Sequence, residues 1–510
     1  MAAAGISGGI SPGREACAAA LAAGTAQLVW ARVVADTETP VSAMLKLGRT
    51  GSGAFLLESV EGGQVRGRYS LLGLDPDLVW RARGNQAEIN RQWQTDPEAF
   101  VPLPGPALDE LRAAVAEARA PVPPDLPPAL ACLVGYIGYE AVRLVEPSVP
   151  AAPPSPIDLP DMIFVRPTLI LVFDRLKDEL YFVAPIFSAA DPAAAWDAAV
   201  DRITAAQARL ARPLPAPPPV PTALPDGQPQ AITPPARYAE MVARAKDYIL
   251  AGDIFQVVLA QRFAMDFPLP PLDLYRALRR INPSPFLYFL DLPGFALVGS
   301  SPEILVRVRD GDVTIRPIAG TRPRGKDAVE DAENRASLLA DAKEQAEHLM
   351  LLDLGRHDTA RVSVPGTVTV TDRAMVEYYS HVMHIVSNVR GRLAPGLDAV
   401  DALLAGFPAG TVSGAPKVRA MQIIAELESE TRGAYAGGVG YFAPDGSMDS
   451  CIVLRTAVVK DGVMHIQAGA GIVADSVAAY EQRECEAKAG ALIAAARAAI
   501  AAAGEAGFGQ

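Results

Sequence analysis

Two pairs of glutamates in this 510-residue chain are spaced so that each pair could hold a cation. Glu344 and Glu347 fall in one predicted helix, and Glu481 and Glu484 fall in another near the end of the chain. Residues three positions apart share a helix face, and each pair leads into an apolar stripe that predicts an inward-facing side. Two ordinary solvated helix faces would show the same spacing. If the four carboxylates instead converge, they require a cation, and Mg²⁺ is the oxygen-preferring candidate.

The segment at 410–417, GTVSGAPK, superficially suggests a phosphate-binding loop. The loop pattern needs glycine directly before its lysine, whereas Ala415 and Pro416 precede Lys417 here. We interpret the segment as a tight turn entering a helix at Val418–Glu428, with backbone N–H groups free to hold an anion.

A second glycine motif, Gly469-Ala470-Gly471 with Ala474, matches the dinucleotide-binding fingerprint and follows a strand-like segment. A dinucleotide-binding unit also needs a further strand with an acidic residue about 20 positions on, and here an Ala-rich helix runs to the C-terminus. Two interpretations stay open. The glycines form a turn required by packing, or they present a pair of backbone donors to a substrate carboxylate.

Two single side chains could also take part in chemistry. His384 lies in an apolar stretch, where a histidine serves either as a hydrogen-bonded core residue or as a catalytic group. Arg455 ends an apolar strand, and a buried arginine needs an anion, which is either a protein carboxylate or a ligand.

The elements that must position these residues mix helices and strands without regular alternation, which favours an α+β fold. Helices are predicted at Tyr238–Ala251, Asp341–Leu354 and Val477–Ala503, and strands at Ala54–Leu57, Thr168–Phe173, Val257–Phe263, Phe286–Leu290, Phe295–Val298 and Val313–Pro317.

Proline-rich stretches divide the chain. Residues 213–235 predict an extended surface connector, and residues 147–160 predict a long loop inside the first half. We therefore predict an N-terminal tail over 1–40, of which residues 1–24 form a frayed tail or a weak first helix, an N-terminal domain over 41–212, and a catalytic domain over 236–505.

Composition excludes several classes of function. The formal net charge of −12 without a basic block disfavours a nucleic-acid partner. No apolar run approaches the roughly 20 residues of a membrane span. The four scattered cysteines indicate reduced thiols in a cytoplasmic protein instead of a disulfide frame or a zinc site.

Taken together, the motifs resemble those of the chorismate-utilising enzymes, and among them the anthranilate synthase component I family. The resemblance covers nearly the whole chain beyond about residue 40. It rests on LLES (56–59), RYSLLG (68–73), GYIGYE (135–140), GDIFQVVLAQRF (252–263), NPSPF (282–286), GSSPE (299–303), RPIAGTRPRG (316–325), KEQAEHLMLLDLGRHD (343–358), YSHVMHIVS (379–387), FPAGTVSGAPKVRAMQII (407–424), CIVLRT (451–456) and QAGAGIVADS (467–476).

The resemblance implies antiparallel β-sheets packed as a sandwich with helices outside, and an Mg²⁺-dependent lyase. In that family Glu347 and Glu484 would bind Mg²⁺ directly, while Glu344 and Glu481 would hold its waters. The substrate-binding positions implied are Gly320, Thr321, Tyr435, Arg455, Gly469, Ala470, Gly471 and Lys488, and the catalytic ones are Glu303, His384 and Thr411.

The implied reaction joins chorismate and ammonia and releases anthranilate and pyruvate, the first committed step of tryptophan synthesis. Glu303 would protonate the departing C4 hydroxyl, with its pKa raised by neighbouring carboxylates, and His384 would serve the elimination. Gln256 stands where isochorismate synthases carry a lysine, and Ala319 stands where many aminodeoxychorismate synthases carry one. Both differences favour anthranilate formation.

The resemblance also implies a separate glutamine amidotransferase subunit as the ammonia donor, hence a hetero-oligomer. Aminodeoxychorismate synthase component I is the alternative enzyme, and a non-catalytic tryptophan-binding regulator is the alternative from another class.

A regulatory site for L-tryptophan is the last implication. In the family the LLES and NPSPF segments form it, which here implicates Glu58, Ser59, Arg68, Pro285 and Leu287. The plain alternative is that LLES is a strand end and NPSP a turn. An acceptor for the ammonium, donors for the carboxylate and an apolar slot for the indole would all be present.

Overall fold

The computed structural model describes residues 9–61, 65–216, 225, 227–379 and 382–503. Its α-helices are α1 Arg14–Ala22, α2 Pro40–Leu47, α3 Ala107–Glu117, α4 Pro192–Leu210, α5 Pro235–Leu250, α6 Pro271–Ile281, α7 Ala328–Ala340, α8 Ala342–Ala360, α9 Ala399–Ala405, α10 Lys417–Leu427 and α11 Ala478–Ala503. Short 3₁₀ helices lie at Tyr139–Leu144 and Gly410–Val412.

The strands are β1 Gln27–Val34, β2 Phe55–Glu58, β3 Val60–Glu61, β4 Val65–Arg66, β5 Tyr69–Arg83, β6 Gln86–Asn90, β7 Val101–Pro106, β8 Leu133–Ile137, β9 Met162–Asp174, β10 Glu179–Ile186, β11 Gln230–Ala231, β12 Gln256–Asp266, β13 Phe286–Leu292, β14 Phe295–Ser301, β15 Ile304–Arg309, β16 Asp312–Ile315, β17 Ile318–Pro323, β18 Thr369–Tyr378, β19 Val382–Arg392, β20 Gly414–Ala415, β21 Gly438–Phe442, β22 Met448–Ile452, β23 Thr456–Lys460 and β24 Val463–Ile472.

The strands pair antiparallel throughout the described residues, and all but β3 and β4 belong to one hydrogen-bonded network. Successive residues of a strand point to opposite faces, and both faces are covered. Tyr288 and Leu290 pack into a core shared by strands of both halves of the chain. Leu287 and Phe289 pack into a second core against the helices α1, α2, α4, α6 and α11. This arrangement confirms the α+β class and the sandwich with outer helices.

Strands from the two halves of the chain pair directly with each other. Strand β2 pairs with β13, so that Glu58 lies opposite Leu287, and β8 pairs with β21. A continuous ladder therefore joins the segments before and after the proline-rich connector. The division into domains at that connector stays a prediction.

The first 40 residues are more ordered than a tail. Helix α1 buries Cys17, and β1 pairs with β10 along its whole length. The weak first helix is thus correct, whereas the tail is wrong for residues 14–34, because apolar side chains of β1 such as Val29 complete the core.

The remaining element predictions agree with the structure in position. Each predicted helix and strand overlaps an observed one, although the strand expected at Val313–Pro317 ends at Ile315. Residues 147–160 contain neither helix nor strand. Parts of the connector at 213–235 lie outside the described residues, and Gln230–Ala231 within it pairs with β12.

No helix in the described part of the chain is long and apolar enough to cross a membrane. The four cysteines are buried and free, which agrees with reduced thiols.

Candidate active site

The two glutamate pairs occupy the first two turns of two helices, α8 and α11. Asp341 caps α8 by accepting hydrogen bonds from the N–H groups of Lys343 and Glu344, at 2.9 and 3.2 Å. Beyond the pairs, Leu351 on α8 and Leu492 on α11 are buried. The apolar stripes therefore face inward, as the spacing predicts.

The four carboxylates share one electrostatic neighbourhood. Burial raises the pKa of Glu347, and the charges of Glu344 and Glu484 raise it further. Burial likewise raises the pKa of Glu481, with a further contribution from Glu484. Each effect disfavours ionisation of carboxylates that lie near one another, which is the situation a cation would relieve.

A complete metal cage is not preformed. Within the ranges that the structure describes, no three His, Cys, Asp or Glu side chains form a group that could hold a metal ion as they stand. Glu344 pairs with Arg322 at 3.0 Å, and Glu484 pairs with Lys488 at 2.7 Å. The donor chemistry still fits Mg²⁺, which takes one or two carboxylates and completes its shell with water and substrate oxygens.

A β-bulge places His384 beside the glutamates. Ala319 pairs with Ile385 and Thr321 with His384, so Gly320 is an extra residue in β17. Its φ of +71° suits glycine, and a Cβ there would lie 3.2 Å from a carboxylate oxygen of Glu344. The bulge thus brings the α8 carboxylates next to the histidine strand.

The hydrogen bonds of His384 define which ring nitrogen is available. Nδ1 lies 3.0 Å from the carbonyl oxygen of Gly320 and 3.1 Å from the hydroxyl of Thr321. A carbonyl only accepts, so Nδ1 carries the proton and Nε2 of the neutral ring presents a lone pair. Burial lowers the pKa of His384, which favours this neutral form.

Burial and one hydrogen bond set the protonation of Glu303. The Thr411 hydroxyl donates to Glu303 Oε2 at 2.9 Å. Burial raises the pKa of Glu303, whereas the Thr411 hydrogen bond and the charges of Lys488 and Arg455 oppose that rise. The sequence predicted the direction correctly, but the cause is burial, because the glutamates lie on other elements and the nearer charges are positive.

The surroundings of Arg455 bear on whether its anion is a protein carboxylate or a ligand. Its φ is +46°, which turns the chain sharply between β22 and β23. Among the described residues its guanidinium has no ion pair or hydrogen bond to a protein group. Burial lowers the pKa of Arg455, and Glu303 opposes the effect. A partly buried cation of this kind favours the ligand alternative.

Gly469 and Gly471 lie inside strand β24, so the turn proposed for them is wrong. They stand opposite Ala260 and Val258 of β12. The N–H groups of those two residues point the other way, to Glu428 at 2.8 Å and to the Ser413 carbonyl at 2.9 Å.

In an antiparallel ladder such pairs are the non-hydrogen-bonded ones, so both glycines direct their N–H and C=O groups away from β12. On that side β23 pairs only with Val463–Ile466. The glycines therefore form an open edge with two backbone donors. This placement also argues against a dinucleotide loop, which needs glycines in a strand-to-helix turn.

The open edge is lined by the remaining predicted contacts. Lys488 donates to the Gly469 carbonyl at 2.8 Å, and a Cβ at Gly469 would lie 2.7 Å from the Tyr435 hydroxyl. Ala470 is the exception, because the alternation of β24 buries its methyl group in the core. Only its backbone is left for any ligand.

Gln256 lies between two groups of predicted site residues, the glutamates and the glycines. Its amide donates to Glu347 at 3.4 Å, and a Cβ at Gly471 would lie 2.5 Å from the same nitrogen. It therefore connects the glutamate helix with the glycine edge. The sequence singled it out only as a difference from related enzymes.

Tyr379 is a site residue that sequence reasoning missed. Its ring packs edge-on against His384 with the centroids 5.3 Å apart. The signal available was its position five residues before His384 in the same motif. The Tyr379 N–H donates to the Val382 carbonyl at 2.8 Å.

The lysine of segment 410–417 is paired with a carboxylate of the protein. Lys417 pairs with Asp358 at 2.8 Å. The segment forms the 3₁₀ helix that presents Thr411, then pairs with β12 and enters α10. A tight turn before a helix is therefore correct.

A separate cavity contains all five residues predicted for tryptophan. Its volume is about 440 Å³, within the range of small-molecule sites, and Glu58, Ser59, Arg68, Pro285 and Leu287 line it. The pairing of β2 with β13 brings the two segments together. Pro302 and Ile304, which flank Glu303, and Tyr379, which packs against His384, also line the cavity.

The two charged residues of this cavity already have protein partners. Glu58 accepts four hydrogen bonds, two from Arg279 and one each from Tyr275 and Arg175, at 2.7–2.9 Å. A carboxylate has about four acceptor sites, so Glu58 has none left for an ammonium in this arrangement. Arg68 forms a two-fold contact with Asp174 at 2.7 and 3.0 Å.

Comparison with known proteins identifies the family of this chain. Residues 54–494 match the family model described as chorismate binding enzyme. Anthranilate synthase component 1 of Cereibacter sphaeroides is 53% identical over 92% of this chain and 94% of that protein. The Thermus thermophilus protein of the same name is 47% identical over 90% and 96%.

Solved structures give the same relationship. Anthranilate synthase component I from Streptococcus pneumoniae superposes with a TM-score of 0.73 at 36% identity, over 84% of this chain and 92% of that one. The Escherichia coli menaquinone-specific isochorismate synthase MenF shares the fold, with a TM-score of 0.69 at 20% identity over 94% and 99% of the chains. The chain therefore belongs to the chorismate-binding enzymes, in the anthranilate synthase component 1 family.

Proposed function

We propose that this chain converts chorismate and ammonia into anthranilate and pyruvate. The observation that carries the proposal is the guanidinium of Arg455, which has no ion-pair partner among the described residues, beside the carboxyl of Glu303, whose pKa burial raises. The guanidinium of Arg455 is suited to bind a substrate carboxylate, and the carboxyl of Glu303 is suited to donate a proton. The relatives named anthranilate synthase component 1 support the same reaction.

The side chains divide the binding of a dianionic substrate. Arg455 and Tyr435 would hold the enolpyruvyl carboxylate, with Lys488 and the N–H groups of Gly469 and Gly471 as further donors. These are fixed donors in a partly enclosed site, where hydrogen bonds to an anion are strong.

In the first step ammonia would form a bond to C2, the ring double bonds would shift, and the C4 hydroxyl would leave as water with the proton of Glu303. The ammonium group formed at C2 would release one proton to solvent. Thr411 orients that carboxyl through its 2.9 Å hydrogen bond. In the second step Nε2 of His384 would accept the C2 proton while the C3–O bond breaks. The ring becomes aromatic, and the enolpyruvyl group leaves as the enolate of pyruvate, which takes up a proton from solvent at its methylene carbon to give pyruvate.

Glu347 and Glu484 would hold Mg²⁺ directly, with Glu344 and Glu481 binding its waters. When bound, Mg²⁺ supplies Lewis-acid polarisation of the ring carboxylate and offsets the repulsion between glutamates and substrate. The side-chain amide of Gln256 donates a hydrogen bond to Glu347 and orients its carboxylate.

The nitrogen source is proposed to be a separate glutamine amidotransferase subunit in a hetero-oligomer. The word component in the relatives' names supports a second subunit. Inhibition by L-tryptophan at the cavity of Glu58 and Pro285 is proposed as the regulation. There Glu58 would maintain the shape of the cavity, since its acceptor sites are filled.

One assay tests the reaction. The isolated chain with chorismate, ammonium and Mg²⁺ should produce anthranilate fluorescence, which EDTA abolishes and Mg²⁺ restores. Glutamine should replace ammonium only after the partner is added. Full activity after exhaustive chelation would refute the metal assignment. A 4-amino product would identify the aminodeoxychorismate alternative, and no turnover with tight tryptophan binding would identify the regulator.

A further inference from the structure

A buried ion pair lies directly behind the proposed substrate site. Glu428 follows α10, and Arg432 stands four residues later, with their side chains only 4% and 1% exposed. Buried ion pairs add little net stability, because the cost of removing two charges from water offsets their attraction. Stability alone therefore does not explain why these two charged side chains are buried here.

Along one edge of β12, the side chains of this pair make the backbone hydrogen bonds that a neighbouring strand would otherwise make. Glu428 Oε1 accepts the N–H of Ala260 at 2.8 Å, and Arg432 Nη2 donates to the Val258 carbonyl at 2.7 Å. Ala260 and Val258 are the register partners of Gly469 and Gly471. The position of the glycine edge thus depends on the pair through a single strand.

The same guanidinium contacts two further supports of the site. Arg432 Nη1 donates to the Val412 carbonyl at 2.7 Å, next to Thr411 in its 3₁₀ helix. Its planar group also lies 5.5 Å from the ring centre of Tyr435. The loop itself is fixed by Glu140, whose carboxylate accepts the N–H groups of Arg432 and Gly433 at 2.7 and 2.9 Å.

We propose that the Glu428–Arg432 pair positions the glycine edge, Thr411 and Tyr435 relative to one another, so that Arg432 is a positioning residue for substrate binding. The inference rests on the proposed function of that site. Arginine suits this task because its planar fork reaches three acceptors at once, whereas lysine offers a single charged point.

Arg432→Lys tests this directly, since it keeps the charge and removes the fork. We expect kcat/KM for chorismate to fall at least tenfold per folded molecule, mostly through a higher KM for chorismate, with a smaller change in the KM for ammonia. Amide hydrogen exchange should become faster in peptides covering 257–263 and 467–473, which reports the strand edge whatever the reaction is.

Arg166→Lys is the matched control. Arg166 is also buried and makes a two-fold contact with Asp77, at 2.8 and 2.9 Å, but its partners lie in the first half of the chain. It should lower thermal stability without changing either the chorismate KM or exchange in those peptides.

The outcomes separate the two proposals. A wild-type chain without turnover refutes the function, while the exchange measurement still decides the positioning role. Active wild type with an Arg432→Lys variant of unchanged KM and exchange overturns the inference. If Arg432→Lys does not fold, Glu428→Gln replaces it, because its amide oxygen still accepts while the charge is lost; wild-type values there also overturn the inference.

Discussion

The Thr411 hydroxyl donates to the Glu303 carboxylate at 2.9 Å, although the two residues lie 108 positions apart in the chain. The bond favours the charged form of Glu303, and burial favours the protonated form more strongly. Thr411 therefore adjusts the proton affinity of the group that we propose as the acid.

Thr411→Val should raise the pKa of Glu303 further, since a hydrogen bond to the charged form is lost. If protonated Glu303 is the active form, the alkaline limb of the kcat/KM profile should move upward by about one pH unit, because such a bond is worth about 1.5 kcal/mol. Thr411→Ser, which keeps the hydroxyl, should leave the limb in place. An unmoved limb in the valine variant would contradict the assignment of Glu303.

His384→Met should lose most anthranilate formation while the fold survives, because only the lone pair of Nε2 is proposed to act. Aminodeoxyisochorismate should accumulate, which chromatography of the quenched reaction can detect. Wild-type anthranilate rates in this variant would make His384 a structural residue.

Arg455→Ala should reduce kcat/KM for chorismate about 100-fold or more, since truncating a cation that holds a buried anion costs about 3 kcal/mol or more. Its thermal stability should change little, as no described protein group pairs with the guanidinium. A large loss of stability with normal kinetics would instead indicate a structural partner.

L-Tryptophan should inhibit initial rates by raising the apparent KM for chorismate, since inhibition requires tighter binding to a low-activity state. Ser59→Phe fills the cavity and Pro285→Ser reshapes it, so both should relieve inhibition with little loss of basal rate. No inhibition at millimolar tryptophan would refute the regulatory role of this cavity.

Glu140→Gln tests the electrostatics of the loop behind the site. Burial raises the pKa of Glu140 to about 7, above the value near 4.5 expected when unfolded. The folded state therefore binds more protons between those values, and the contribution of Glu140 to stability falls as pH rises from about 4.5 through 7. The wild-type minus Glu140→Gln difference in Tm should decline between pH 5 and pH 8. A constant difference would contradict the raised pKa.

Local patterns in the sequence were sufficient for several features. The i, i+3 glutamates lie in helices as predicted, because helix periodicity and an Asp341 cap act over neighbouring residues. The strands at Phe55 and Phe286 were also predictable, since a short run of large apolar side chains is a local signal for a strand buried on both faces. The family and its motifs were likewise evident from the residues alone.

Tertiary structure decided how those residues meet. The register of β12 with β24 turns Gly469 and Gly471 into an open edge, and the register of β2 with β13 puts Glu58 opposite Leu287. Pairing between strands more than 200 residues apart depends on which distant edges fit, and no local pattern encodes it. For the same reason the sequence alone determined the residue types available for chemistry. The fold decided that Glu58 is saturated by Arg279, Tyr275 and Arg175, and that the Arg455 guanidinium has no ion-pair partner among the residues that the structure describes.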